Sequence, residues 1–342
     1  MRTIGVGVIG CGGVSTKYHL PNIRDIPGVE LVSVSDVIEE AAKNSATSFG
    51  AKHWFTDYKK VLEGREVEAV LICTPPHLHA LQALEALELG KHVFCEKPMT
   101  IDVKEAEKLV EAVGRTDRKF QVGFMQRFSS AYRKAKEIMN LGFLGKVFMA
   151  RARAAHPGPG GVFKSTAWAF DRSKSGGGAI INLGIHHLDL LRWFMGDVKS
   201  AYCRMYTLVK EIPVEDNALI TLEFRNGGVA SFEVSWSSIV PFNPPVGHWP
   251  VEIYGTDGSI SIPTSAGPLM LYQEKDFPQN VRGWVDIPLL YVDMFKQELV
   301  DFFDCIRSDR EPRVTVEDGK AATDIVAAIY ESAEAGKFVN LI

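Results

Sequence analysis

Short apolar runs separated by helical patterns organise roughly the first 125 residues of the chain. The runs lie at Ile4–Ile9, Leu31–Ser35, Ala69–Cys73, His92–Cys95 and Phe120–Val122. They are short and rich in β-branched residues, and apolar and polar positions do not strictly alternate within them. This pattern is typical of strands that are buried on both faces of a parallel sheet.

The segment that follows the fourth run shows the helical pattern clearly. Asp102 is followed three residues later by Glu105, which predicts a capped helix start. Apolar residues then recur at helical spacing, at Val103, Ala106, Val110 and Val113. Because strands and helices alternate in this way, we predict an α/β domain with a doubly wound parallel sheet, the Rossmann arrangement.

The pattern changes after about residue 125. Longer, more regularly alternating strands are predicted at Ala218–Phe224 and Val229–Trp236, and Asn226-Gly227-Gly228 between them indicates a hairpin. Two amphipathic helices follow near the C-terminus, the first with Phe295, Leu299, Phe302 and Ile306 on one face and the second starting at Thr315 with Asp318 as cap partner. We therefore predict two domains, a Rossmann domain over 1–123 and an α+β domain with a large mixed or antiparallel sheet over 124–342.

Composition narrows the class of protein without naming an activity. The chain has 342 residues, 46% of them hydrophobic and 23% charged, with a formal net charge of −4. These values exclude a disordered or coiled-coil chain and do not favour nucleic acid or a membrane as partner. The five cysteines are scattered without a CxxC pair, and the first strand follows Met-Arg-Thr with no secretory signal between. We therefore expect a cytoplasmic protein.

A glycine turn directly after the first strand is the first sign of chemistry. Gly10, Gly12 and Ser15 fit the G-x-G-x-x-[G/A/S] pattern that brings a pyrophosphate to a helix N-terminus. Asp36 ends the second strand 21 residues after Ser15, where a carboxylate can accept both ribose hydroxyls of NAD. No arginine follows Asp36 to offset its repulsion of a 2′-phosphate, so NAD is favoured over NADP. S-adenosylmethionine, which binds a related turn, is the main alternative cofactor.

Three later segments carry a family resemblance. Thr74-Pro75-Pro76-His77-Leu78-His79 and Cys95-Glu96-Lys97-Pro98 each follow a predicted strand, and GGGAIINLGIHHLDLLRWFMGD covers 176–197. Together with the glycine turn, these segments resemble the Gfo/Idh/MocA oxidoreductases, which include inositol dehydrogenases. The resemblance extends over almost the whole chain. It implies a C-terminal domain that binds substrate and forms oligomers, and thus a homodimer or homotetramer.

The resemblance also implies roles for individual residues. Lys97 would reach the nicotinamide region and the substrate hydroxyl, and the Lys97–Pro98 bond would be cis. The expected catalytic residues are Lys97, His186 and Asn182. The expected cofactor residues are Gly10, Cys11, Gly12, Gly13, Val14, Asp36, Thr74, Pro75, His79, Glu96, Lys97 and Gln126. The expected substrate residues are Lys97, Arg127, Asn182 and His186.

Elementary chemistry agrees with these roles. Oxidation of a secondary alcohol needs a base for the hydroxyl proton, which suits a histidine, and a lysine can stabilise the developing alkoxide. Asn182 and Asp189 fall on the helix face of His186, whereas His187 points elsewhere and is expected to be structural. Some family members have Asp where this chain has Asn182. Either Asp189 then supplies charge to His186, or Lys97 carries more of the proton chemistry.

A metal site is the competing interpretation of the histidines. His77, His79, His186, His187 and Asp189 could be combined into a cluster, but the spacing lacks the i, i+4 histidine pair of helical zinc motifs. No metal is expected. The sequence thus predicts an NAD-dependent dehydrogenase or reductase for a sugar, sugar derivative or cyclitol. The alternatives are an NAD-dependent glycosidase of the same family and a non-catalytic sugar-sensing regulator.

Overall fold

A computed structural model describes residues 2–158, 167–208, 211–238, 249–273 and 283–341 of the chain. The chain divides into two compact units. The first consists of Met1–Met125, Ser173–Gly176 and Met294–Thr323. The second consists of Gln126–Arg172, Gly177–Asp293 and Asp324–Ile342.

The strands and helices are as follows. The strands are β1 Ile4–Ile9, β2 Val29–Ser35, β3 His53–Phe55, β4 Ala69–Ile72, β5 His92–Glu96, β6 Phe120–Gly123, β7 Val147–Ala155, β8 Val198–Tyr206, β9 Asn217–Phe224, β10 Val229–Ser235, β11 Val251–Gly255, β12 Gly258–Ile262, β13 Leu269–Gln273, β14 Gly283–Ile287 and β15 Val339–Asn340. The α-helices are α1 Leu20–Arg24, α2 Glu39–Phe49, α3 Lys59–Leu62, α4 His79–Glu88, α5 Val103–Val113, α6 Ser130–Asn140, α7 Arg172–Ser175, α8 Ile185–Met195, α9 Met294–Ser308 and α10 Val316–Ala335. No described helix combines the length and the hydropathy that crossing a bilayer would require.

The first unit contains a six-stranded parallel sheet in the order β3-β2-β1-β4-β5-β6. This is the strand order of a doubly wound dinucleotide-binding sheet, so the predicted fold class is confirmed. The pattern analysis missed β3, because this strand is only three residues long and its side chains are largely exposed. The predicted cap of α5 is present, with Asp102 Oδ1 accepting from the Glu105 N–H at 3.0 Å.

Helix α9 belongs to the first unit although it follows the second domain in sequence. Leu299, Phe302 and Phe303 are fully buried in one apolar cluster with residues of β1 and β5. Burying each such side chain contributes about 1.5–3 kcal/mol, which explains why the helix returns to this sheet. The sequence prediction assigned this helix to the domain over 124–342, whereas the structure places 294–323 in the first unit.

The second unit contains a nine-stranded sheet in the order β14-β13-β12-β11-β7-β10-β9-β8-β15. Its strands are antiparallel except for the parallel pair β7 and β10, so the predicted mixed sheet is confirmed. The predicted hairpin joins β9 to β10. In β10, buried Ala230, Phe232 and Val234 alternate with residues that are exposed or half-buried. One face of this sheet is therefore core and the other is accessible.

Candidate active site

The glycine turn lies at the end of β1 in the first unit. Gly10 has a φ of +96°, and a Cβ at this position would lie 2.7 Å from the carbonyl group of Cys73. Only glycine is compatible with this backbone. At Gly12, by contrast, a Cβ would meet no described protein atom within 4 Å. The described protein atoms thus leave the backbone at Gly12 open, which fits the predicted approach of a pyrophosphate.

Asp36 connects the end of β2 to this turn. Its Oδ2 accepts from the Cys11 N–H at 2.8 Å, and its Oδ1 accepts from the Ile38 N–H at 2.9 Å. Gly13 and Val14 follow within the turn and lead into a π-helical turn at Ser15–His19. The carboxylate and the glycine turn therefore lie side by side, as the spacing predicted for a dinucleotide site. Burial raises the pKa of the Cys11 thiol to about 11, so this cysteine remains protonated.

The loops after β4 and β5 are joined by His79. Its two ring nitrogens lie 2.7 Å from the Thr74 carbonyl oxygen and 2.8 Å from the Pro98 carbonyl oxygen. The Thr74 hydroxyl also donates to Gln82 Oε1 at 2.6 Å. The Lys97–Pro98 bond is cis, as the resemblance implied. Burial lowers the pKa of His79, and the neutral ring donates to only one of the two carbonyls while it lies between the two predicted cofactor segments.

Lys97 follows β5 beside a buried ionisable cluster. The Glu96 carboxylate accepts from the Lys97 N–H at 3.0 Å and lies 2.6 Å from His19 Nε2. Burial acts to raise the pKa of Glu96, but the hydrogen bond and charge of His19 outweigh it and bring the pKa below its ordinary value. Burial lowers the pKa of the Lys97 amine, and Glu96 opposes this shift only in part. Lys97 therefore releases its proton at a lower pH than a surface lysine does.

Glu298 of α9 completes this cluster. One ligand-type atom each of His19, Glu96 and Glu298 lies within 4.8 Å of the others. The 2.6 Å separation of His19 and Glu96 is a direct hydrogen bond, shorter than the spacing of two ligands around a shared metal ion. His19 and Glu96 are therefore arranged as a hydrogen-bonded pair, with the Glu298 carboxylate close to both. Sequence reasoning missed His19, although it lies four residues after Ser15 on the same helical face, and nothing local points to Glu298.

The predicted catalytic helix lies in the second unit. A π-helical turn at Ile180–Gly184 contains Asn182 and continues directly into α8, which carries His186. His186 is 4% exposed, and its ring centroid lies 6.1 Å from that of Trp249. The neighbouring His187 stacks on Phe232, and burial lowers its pKa to about 3. His187 is therefore a neutral core residue, in agreement with the structural role expected for it.

Asp189 and Arg127 form a buried bidentate ion pair. Arg127 donates from Nε at 2.8 Å and from Nη2 at 2.6 Å to the two oxygens of Asp189. The side chains are 6% and 1% exposed, and the guanidinium also lies 5.6 Å from the centroid of the Trp193 ring. Both oxygens of Asp189, the carboxylate expected as a possible partner of His186, thus accept from Arg127. A substrate contact of Arg127 stays a prediction.

Gln126 is 1% exposed, and neither atom of its side-chain amide has a hydrogen-bond partner among the described residues. An unsatisfied buried amide costs about 1–3 kcal/mol per group, which marks it as a candidate ligand contact. Within the first unit, the open backbone at Gly12 and the carboxylate of Asp36 fit a nicotinamide dinucleotide.

Comparison with known proteins agrees with the geometry. Residues 4–124 match the oxidoreductase family with an NAD-binding Rossmann fold, and residues 132–261 match the Gfo/Idh/MocA C-terminal domain. The chain is 30% identical to scyllo-inositol 2-dehydrogenase (NAD(+)) of Bacillus subtilis (strain 168), with 98% of this chain and 95% of that protein covered. It is 26% identical to myo-inositol 2-dehydrogenase of Thermotoga maritima, with 98% of each covered.

Solved structures give the same result. The solved structure of a levoglucosan dehydrogenase in complex with NADH and levoglucosan matches with a TM-score of 0.91 and 25% identity over 100% of both chains. Matches of this extent to both domains and to whole relatives establish that the chain belongs to the Gfo/Idh/MocA family of oxidoreductases.

Proposed function

We propose that the protein is an NAD-dependent dehydrogenase that oxidises a secondary hydroxyl of a sugar, a sugar derivative or a cyclitol, or reduces the corresponding ketone. Family membership and the activities of the named relatives support this proposal. The observation that carries it is the half-buried Lys97 directly after β5, whose amine has a pKa lowered by its burial. It lies in the same unit as the glycine turn and Asp36.

The residues divide the reaction between them. Bound NAD would accept the hydride from the alcohol carbon, so that alcohol and NAD become ketone, NADH and a proton. Lys97 stabilises the alkoxide as the hydroxyl proton leaves, and His186 accepts that proton. Asn182 donates a hydrogen bond to a substrate hydroxyl. Asp189 pairs with Arg127 through both oxygens, and either it also supplies charge to His186 or Lys97 carries more of the proton chemistry.

Asp36 favours NAD over NADP. Its carboxylate accepts hydrogen bonds from two backbone N–H groups at the turn, which hold it in place. The residues that follow it, Val37 and Ile38, are exposed and apolar, so they offer no cation to a 2′-phosphate.

The accessible face of the nine-stranded sheet supports a homo-oligomer. Leu219, Tyr206 and Val229 are exposed on this face by 60%, 42% and 41%. Arg153 and Glu233 lie among them, 3.7 Å apart, so the face carries both charge signs and can pair with a second copy of itself. Light scattering should give at least twice the monomer mass for the wild type and a smaller assembly for Leu219→Glu. Leu141→Glu, at an exposed position outside the sheet, is the control; a monomeric wild type would contradict the proposal.

The cysteines favour a reducing compartment. All five are buried free thiols. We therefore place the protein in the cytoplasm. Cell fractionation tests this assignment, and recovery in an oxidising compartment would contradict it.

The decisive experiment follows reduced nicotinamide at 340 nm. Purified protein with NAD is tested against myo-inositol, scyllo-inositol, levoglucosan and glucose. Lys97→Ala should abolish turnover and leave NAD binding intact, whereas Lys104→Ala, at an exposed lysine of the same unit, should behave as the wild type. Near-normal kcat in Lys97→Ala would refute the proposed role. Cleavage of glycosides without net NADH would indicate a glycosidase, and sugar binding without either reaction would indicate a regulator.

A further inference from the structure

The helical segment that carries Asn182 and His186 starts without a capping side chain of its own. Helical backbone begins at Ala179, whose methyl group cannot accept a hydrogen bond. The first N–H groups of any helix have no partner within the helix and need one from elsewhere. Some other part of the second unit must therefore satisfy the N–H groups at this end.

Glu215 provides these partners. Its carboxylate oxygens both lie 3.0 Å from the Gly178 nitrogen, and Oε1 also accepts from the Ile180 N–H at 3.0 Å. Its backbone carbonyl accepts from the Ala179 N–H at 2.9 Å. One residue thus satisfies three consecutive N–H groups. A carboxylate at a helix N-terminus also interacts favourably with the helix dipole.

Tyr330 of α10 fixes the carboxylate from the other side. Its hydroxyl donates to Glu215 Oε1 at 2.9 Å, and Arg172 lies over its ring with the guanidinium 5.4 Å from the ring centroid. Glu215 is 7% exposed, and burial raises its pKa although these hydrogen bonds oppose the shift. The carboxylate is therefore held in a single place by four hydrogen bonds to its oxygens, counting both contacts of Gly178.

The glycines of the GGG motif make this approach possible. A Cβ at Gly177 would collide with the Tyr330 hydroxyl, and a Cβ at Gly178 would collide with the backbone of Glu215. Side chains at either position would push the tyrosine or the glutamate away from the helix start. Gly177 and Gly178 are thus explained within the second unit as a packing surface for Glu215 and Tyr330.

We infer that Glu215, held by Tyr330, is a positioning residue that fixes the start of the helix bearing Asn182 and His186. This role rests on the proposed function of these two residues. Asn182 lies two residues after Ile180, and its own N–H donates to the Gly178 carbonyl at 3.1 Å, so movement at Gly178 reaches it directly. A displacement of about 1 Å at a reacting group can reduce turnover by about a hundredfold.

Three variants test the inference. Glu215→Gln keeps the shape but removes the charge and turns an amide NH₂ toward backbone donors. Tyr330→Phe keeps the ring and removes one hydrogen bond, so it remains informative if Glu215→Gln folds poorly. Glu331→Gln, at an exposed carboxylate on the same helix as Tyr330, is the matched control.

The readouts separate positioning from simple loss of folded protein. With the panel sugar that the wild type oxidises fastest, kcat should fall about tenfold or more in Glu215→Gln and about threefold in Tyr330→Phe, while KM for NAD stays within about twofold. Hydrogen exchange measured by mass spectrometry should accelerate in peptides covering 177–186 and not in the strands of the first unit.

The possible failures are distinct. A wild type that oxidises none of the sugars overturns the proposed function, and this role with it. An active wild type whose kcat and exchange at 177–186 are unchanged in both variants overturns the positioning role alone.

Discussion

The buried pair of Arg127 and Asp189 allows a quantitative test of how the second unit is held together. The perturbation is a double-mutant cycle with Arg127→Met, Asp189→Leu and the double variant. Each single change leaves one charge buried without its bidentate partner, in a place where the side chains are only 6% and 1% exposed. Breaking such a pair costs about 3–5 kcal/mol.

The expected shifts follow from the size of the chain. An unfolding entropy of about 2.1 cal/mol/K per residue over 342 residues means that 3–5 kcal/mol lowers Tm by about 4–7 °C if the chain unfolds as one unit. Replacing both partners by apolar groups of similar volume is close to neutral, so the double variant should lie within about 2 kcal/mol of the wild type. The double variant also loses the contact of the Arg127 guanidinium with the Trp193 ring, which accounts for about 0.5–2 kcal/mol of its destabilisation.

The assay is urea unfolding followed by tryptophan fluorescence and circular dichroism. Arg192→Met is the control. Arg192 lies on the same helix as Asp189 and pairs with Asp197 at 2.9 Å, but the Asp197 side chain is 62% exposed. It should cost no more than about 1 kcal/mol. Single variants that cost less than about 1 kcal/mol, or a double variant that loses the sum of both, would refute the reasoning.

Two further changes test the pKa of a core histidine and the choice of cofactor. Burial lowers the pKa of His187 to about 3 in the folded protein, whereas in the unfolded chain it is about 6.5. As the pH falls below about 6.5, the unfolded chain therefore binds a proton that the folded protein does not bind, and the folded state loses stability. Between pH 7 and pH 5 the free energy of unfolding should fall by about 2 kcal/mol more in the wild type than in His187→Phe, as measured by denaturant titration. An equal fall in the two proteins would contradict the lowered pKa of His187. Asp36→Asn keeps one backbone acceptor and removes the charge, so the ratio of kcat/KM for NADP to that for NAD should rise about tenfold or more, and an unchanged ratio would show that Asp36 does not select the cofactor.

Much of the fold could be predicted because its signals are local. The runs that form β1, β2, β4, β5 and β6 are short, apolar and bounded by glycine or polar residues, and the hairpin at Asn226-Gly227 is a property of adjacent residues. Strand β3 lacks this signal because its side chains face solvent. The apolar face of α9 predicted that this helix packs against a sheet. Hydrophobic spacing alone does not indicate which of the two sheets it packs against.

In the candidate site, too, the residues found from the sequence are those with a local signal. Asp36 was found because a fixed separation from the glycine turn places it beside Cys11. Glu215 and Tyr330 were missed because Glu215 contacts Gly178 across 37 residues of chain and Tyr330 across 115, and nothing in their local sequence marks either residue. The GGG motif was recognised as a family feature, while the physical reason for Gly177 and Gly178 became visible only with the residues packed against them.

The most direct test of the central claim is the rate of NADH formation at 340 nm with wild-type protein, NAD and the inositol and anhydrosugar panel. The proposed function predicts steady NADH production with at least one of these polyols, and none from Lys97→Ala under conditions where this variant still binds NAD. NADH production by Lys97→Ala at the wild-type rate would contradict the account of the site. No NADH from the wild type with any of the polyols, together with no NADH consumption when the corresponding ketones are offered, would contradict the proposed activity itself.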